Sequence, residues 1–318
     1  MDPKAADNRN LIRLSVAAVA AGFIVPGIPW LYVGLPVAAL ALGWITYRNG
    51  WLTSSALAVL TALLVATLGP RLGVDRLDAV FVLVGLLAVG PATVLALRRF
   101  SPATVVLASG LLLAGVFMWS PAGIQTRTEV MSLMRVFLAQ GALNARGASP
   151  LQIKALTDQF LQEIALVWPA FVFYLMGLCA LITVPMVSIV GRRHGMEVPR
   201  FTPLADLDAS FHFVWPTIAG LALLAAGTFL QHGRGWMVAV GLNALLIVRP
   251  VLVAQGLGDF AALYRRLSLG RVARGIGYAS LVLAESVVPS TSVLGLVDLF
   301  FNLRRLPRAG VTPRGGEM

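Results

Sequence analysis

The sequence predicts an all-α protein: a polytopic transmembrane helix bundle forming a single integral membrane domain over residues 1–318. Three observations carry this. Of the 318 residues, 58% are apolar and 12% are charged, with a mean hydropathy of +0.83, whereas a soluble domain needs about a quarter of its residues charged. The few charges delimit charge-free stretches at 14–47, 49–70, 79–97, 100–126, 164–191 and 209–233. Each is close to or beyond the ~20 apolar residues that cross a hydrocarbon core as a helix. The first stretch is too long for one crossing, and Pro26-Gly27-Ile28-Pro29 supplies the break, because proline removes a donor and fixes φ. This composition excludes a soluble enzyme, a secreted disulfide scaffold and a disordered chain. The lone Cys179 allows no disulfide within the chain.

Taken in order, spans are expected near 11–25, 30–47, 51–69, 77–97 and 102–120, which form an N-terminal five-span half over 11–120. Lys4, Arg9 and Arg13 ahead of Ala18-Val19-Ala20 imitate a cleavable leader, but the next span follows after only a turn, so the segment is read as a retained span. Residues 121–163 form an amphipathic outer connection lying at the interface. Val130, Leu133, Met134, Phe137 and Leu138 fall on one helical stripe. Ser149-Pro150-Leu151-Gln152 then offers an N-cap and a proline at the first helical position, and a second helix should run from there into the next span.

The C-terminal half, 164–303, carries spans near 164–190, 212–231 and 235–258, then an apolar segment at 275–303. Pro289-Ser290-Thr291-Ser292 interrupts that last segment, and its halves of about a dozen residues are too short to cross at 1.5 Å per residue. Eight crossings plus a broken, re-entrant segment are therefore expected, with nine crossings as the alternative. Lys and Arg in the short loops place the N-terminus on the cytoplasmic side of a plasma membrane. A re-entrant segment brings the basic tail, 304–318, to the same side. The net charge of +11 is explained by basic span ends meeting anionic headgroups of the lipid bilayer. No soluble stretch is large enough to carry a nucleic-acid surface.

Two charges sit within otherwise apolar segments, Arg249 and Glu285. Counting from Gly258 and Gly275, both lie roughly 13–15 Å deep, on segments joined by a short loop, so an Arg249–Glu285 ion pair is expected. Ionisable groups at that depth cost several kcal/mol unless paired, and are functional candidates by default. Asn243 and Gln255 lie six residues either side of Arg249 on its helix. Both are candidates for orienting a solute, although an intramembrane Asn is more often an interhelical hydrogen bond, and Gln255-Gly256 also suits a packing notch. His194, His212 and His232 have no ligand spacing, so neither metal nor cofactor is expected. Nucleophile elbows and phosphate loops are absent, so no catalytic activity is expected.

Gly191-Arg192-Arg193-His194-Gly195 through Pro203, Phe213-Val214-Trp215-Pro216, Asn243 with Gln255-Gly256-Leu257, and Gly295-Leu296-Val297-Asp298-Leu299-Phe300-Phe301-Asn302-Leu303-Arg304 give the chain a family likeness. They resemble the YybS-like family, uncharacterised bacterial multi-pass membrane proteins carrying a domain of unknown function. That family is distantly similar to the substrate-binding S components of energy-coupling-factor importers, which join a transmembrane coupling subunit and two ATPases. The resemblance implies a coupling face of the Ala-x-x-x-Ala kind, matched by Ala17 and Ala21. The chain is longer than those S components.

The expected function is the binding of a small polar or anionic solute in an internal cavity, as the recognition subunit of an importer. The alternative is a structural or assembly protein whose basic loops, with Arg192, Arg193, Arg265 and Arg266, dock a cytoplasmic partner.

Overall fold

The computed structural model describes residues 15–20, 28–72, 74–143, 150–193, 201–229 and 234–304, with Gly195, Glu197 and Leu306. Regular structure among the described residues is helical throughout, without strands. Residues 15–20 are helical. Ten helices follow: α1 (Ile28–Asn49), α2 (Trp51–Leu68), α3 (Asp78–Leu97), α4 (Pro102–Trp119), α5 (Pro121–Leu143), α6 (Pro150–Arg193), α7 (Val214–Phe229), α8 (Arg234–Arg266), α9 (Arg271–Val287) and α10 (Ser290–Phe301).

Among the described residues, six helices are long and apolar enough to cross a membrane: Trp51–Leu72, Asp78–Leu97, Pro102–Trp119, Leu151–Arg193, Phe211–Phe229 and Gly235–Arg266. The bent pair α9 and α10 raises this to seven if it counts as one span. The described residues thus hold six or seven candidate spans where the sequence suggested eight or nine. The expected 11–25 span lies mostly outside the described residues. The expected 30–47 span is the 22-residue helix α1, which the six do not include.

The chain divides into two compact units, Met1–Phe201 and Thr202–Met318. In the first, α1, α3, α4 and α6 bury Leu35, Leu42, Phe81, Leu113, Phe117 and Met176. The rings of Phe81 and Phe117 meet at 5.2 Å. A Cβ on Gly110 of α4 would lie 3.0 Å from the Gly177 Cα of α6, so these two backbones approach as closely as small residues in packed spans allow. Midway along α3, Pro91 forces a π-helical segment over Ala88–Ala92, and the Thr93 hydroxyl donates to the Ala88 carbonyl at 2.6 Å, satisfying an acceptor that the widened turn leaves over.

Helix α6 is continuous over 44 residues, about 66 Å long and twice the hydrocarbon thickness. Its first part, 150–163, therefore extends past the apolar span, and α5 packs along it with an Arg135–Asp158 contact at 3.8 Å. The stripe on α5 is only partly used: Val130 and Leu138 are half-buried while Leu133 and Phe137 are exposed.

In the second unit, α8 packs against α7, α10 and the turn Leu204–Asp206. It runs 33 residues, and the end expected near Gly258 is not an end. A Cβ there would lie 2.8 Å from the Leu204 carbonyl oxygen and press on Arg304. Gly258 is thus a point of close approach, and the helix continues to Arg266. Helices α9 and α10 meet at a 100° bend over Val288 and Pro289, where the sequence placed the break.

Candidate functional site

The break between α9 and α10 creates the polar centre of the second unit. A new helix begins at Ser290, and its first N–H groups have no partner within the helix. Glu285, on the last turn of α9 and 7% exposed, supplies one. Its Oε2 accepts from the Thr291 N–H at 2.8 Å and the Ser292 N–H at 3.2 Å, and its Oε1 accepts from the Ser292 hydroxyl. A carboxylate at that position also meets the positive end of the α10 dipole.

Arg249 reaches the same carboxylate from the middle of α8. Its Nε donates to Glu285 Oε1 at 3.0 Å and its Nη2 to the Glu285 backbone carbonyl at 2.6 Å. The ion pair expected from matched depth is formed, and it is the joint of the broken segment. The Arg249 side chain is 35% exposed, and its Nη1 has no partner among the described residues. The Thr291 hydroxyl, on a residue 1% exposed, is likewise without a hydrogen bond there.

Gln255 does not belong to this centre. It is fully buried, donating from Nε2 to Asp298 Oδ2 at 2.7 Å and Asp208 Oδ1 at 3.2 Å, while its Oε1 accepts from the Ala209 N–H at 2.9 Å. Both of its donors and its carbonyl are engaged by the protein. Asn243 donates to the Ala239 carbonyl of its own helix at 2.7 Å. Twelve residues, about 18 Å of helix, separate Asn243 from Gln255, too far for both to touch one small solute. The four residues grouped from the sequence are therefore not one site.

The network that does hold Gln255 centres on Asp298 and Arg304. Asn302 adopts a left-handed conformation (φ 46°) at the end of α10, one that asparagine tolerates, and pairs its amide with both backbone groups of Leu306. This turn folds the chain back, so that Leu303 N–H reaches Asp298 Oδ1 at 2.6 Å. Arg304 then lies between Asp298 Oδ2 at 2.8 Å and Asp259 Oδ1 at 2.9 Å, with its Nη1 on the Ala205 carbonyl at 3.3 Å. Sequence reasoning counted Arg304 with the basic tail, but its side chain is 4% exposed. The missed signal was Asp298 itself, a lone charge in an apolar stretch like Glu285.

The remaining candidates are peripheral. Arg192 and Arg193 are exposed in the last turn of α6, and Arg265 and Arg266 in the last turn of α8, where a helix C-terminus favours cations. Arg265 pairs with Asp206 at 2.9 Å. Ala17 is half-buried in the 15–20 helix, whereas Ala21 lies outside the described residues. Two crevices, one lined by Ala88, Thr93, Phe100 and Leu112 and the other by Val80, Phe81 and Trp119, belong to the first unit and contain neither Arg249 nor Glu285. No metal-holding group of His, Cys, Asp and Glu occurs among the described residues.

Apolar helices of spanning length and a buried ionic joint define a predicted multi-pass membrane protein, its helices in contact with lipid. The chain belongs to the family described as Predicted membrane protein (DUF2232), whose profile matches residues 14–299. No curated protein and no solved structure gives a significant match.

Proposed function

We propose that the chain recognises a small polar or anionic solute at Arg249, as the binding subunit of an importer in a bacterial plasma membrane, with its N-terminus in the cytoplasm and no chemistry of its own. One observation carries this reading: a guanidinium halfway along a helix of spanning length is 35% exposed as a side chain, and its Nη1 has no partner among the described residues. Glu285 neutralises its charge but takes only Nε and Nη2. Two N–H groups of Nη1 facing hydrocarbon are costly, so that edge demands an acceptor from a watery cavity or a ligand. Energy for uptake would come from a transmembrane coupling subunit and ATPases of the kind that S components join. Asn243 and Gln255 have no part in this version of the site.

The test is native mass spectrometry of protein extracted gently from its own membranes, beside Arg249→Ala. A small-molecule adduct on the wild type, lost from the folded variant, supports solute recognition. Retained protein subunits with no adduct on either form favour the second reading, a scaffold docking cytoplasmic partners. The exposed Arg192, Arg193 and Arg266 at helix ends support that alternative.

A further inference from the structure

We propose that the socket holding Glu285 is a carboxylate receptor, and that Glu285 is its internal occupant, competing with a solute carboxylate for the same donors. This rests on the solute-recognition reading and names the chemical class of the solute. The socket presents four donors to two oxygens: Arg249 Nε and the Ser292 hydroxyl to one, and the Thr291 and Ser292 N–H groups to the other. Two donors per oxygen match the four lone-pair sites of a planar carboxylate. A phosphate would bring two further oxygens for which the socket has no donors.

Two further groups make the socket more than a capped helix end. The Arg249 side chain is 35% exposed and its Nη1 is without a partner among the described residues, and the buried Thr291 hydroxyl has none either. Glu285 reaches neither, so a carboxylic acid bearing a second acceptor gains a contact that the internal occupant lacks. Exchange keeps Arg249 neutralised, and the proton of the entering carboxylic acid passes to Glu285 as it leaves the socket, so that neither charge stands unpaired in the membrane.

Chemical rescue tests this. Glu285→Ala vacates the socket, and sodium acetate is compared with sodium chloride at equal ionic strength on the purified full chain. Acetate should raise the melting temperature of Glu285→Ala by about 2–4 °C, while leaving the wild type and Glu285→Ala/Arg249→Ala unmoved. Phosphate should give less than acetate. No acetate shift in Glu285→Ala, or an equal shift in all three proteins, overturns the proposal. If Glu285→Ala does not accumulate, Glu285→Ser likewise vacates the socket and is judged by the same comparison. Rescue without a native adduct would defeat solute recognition while leaving the carboxylate preference standing; an adduct without rescue would do the reverse.

Discussion

Arg304 and Arg265 show how burial sets the worth of a charge. Arg304 stands between two carboxylates with 4% of its side chain exposed, and removing it leaves Asp298 and Asp259 without their shared cation. Arg304→Ala should destabilise the chain by about 3–5 kcal/mol, the usual cost of breaking a buried pair from one side, measured by thermal unfolding in detergent. Arg304→Lys should recover little, since a single ammonium cannot reproduce the guanidinium's fork to Asp298 and its contact with Asp259. An unshifted Arg304→Ala melting curve would show that the network is dispensable. Arg265, by contrast, pairs with Asp206 across surfaces 57% and 44% exposed. Arg265→Ala should change stability by less than about 1 kcal/mol, and by less still in high salt.

At the scale of elements, the attachment of α10 to α8 depends on two glycines. A Cβ on Gly295 would run into the Leu252 carbonyl, and one on Gly256 into the Thr291 carbonyl, so the backbones cross in contact. Gly295→Ala should cost about 1–3 kcal/mol by overpacking, whereas Gly275→Ala in α9, where a Cβ meets nothing within 4 Å, should gain about 0.5–1 kcal/mol from helix propensity. Equal effects of the two in a thermal melt would contradict the crossing. The break at Pro289 and the notch at Gly256 were legible in the sequence because both are local: proline and glycine act on their own backbone. The Arg249–Glu285 pair was legible because two charges at matched depth on adjacent antiparallel segments have few other partners. Arg304 was not, because its burial depends on a left-handed turn at Asn302 and on carboxylates from α8 and α10, none of which periodicity reveals. The partners of Gln255 were not legible for a related reason. Its position on the helix was visible, but Asp208 and Ala209 come from a loop 47 and 46 residues away.

For the whole molecule, topology turns on where the α9–α10 segment goes. Helix α9 leaves the loop after Arg266 and rises to Glu285, beside Arg249. Helix α10 then crosses α8 at Gly256, and Arg304 ends against Asp259, seven residues short of Arg266. The segment starts and finishes toward the same end of α8, so its two ends should face the same compartment. That arrangement also gathers Arg265, Arg266, Arg271 and Arg274 at the end where the segment starts and finishes, as the preference for basic residues in the cytoplasm requires. In a Cys179→Ser background, which removes the single buried thiol, Leu267→Cys and Leu303→Cys at exposed positions report the two ends. A membrane-impermeant maleimide should label both in inside-out vesicles and neither in right-side-out vesicles. Labelling of Leu303→Cys from the opposite face would make the bent pair a full crossing, move the tail to the outer face, and require the Arg249–Glu285 joint to lie within a span rather than at the tip of a returning hairpin.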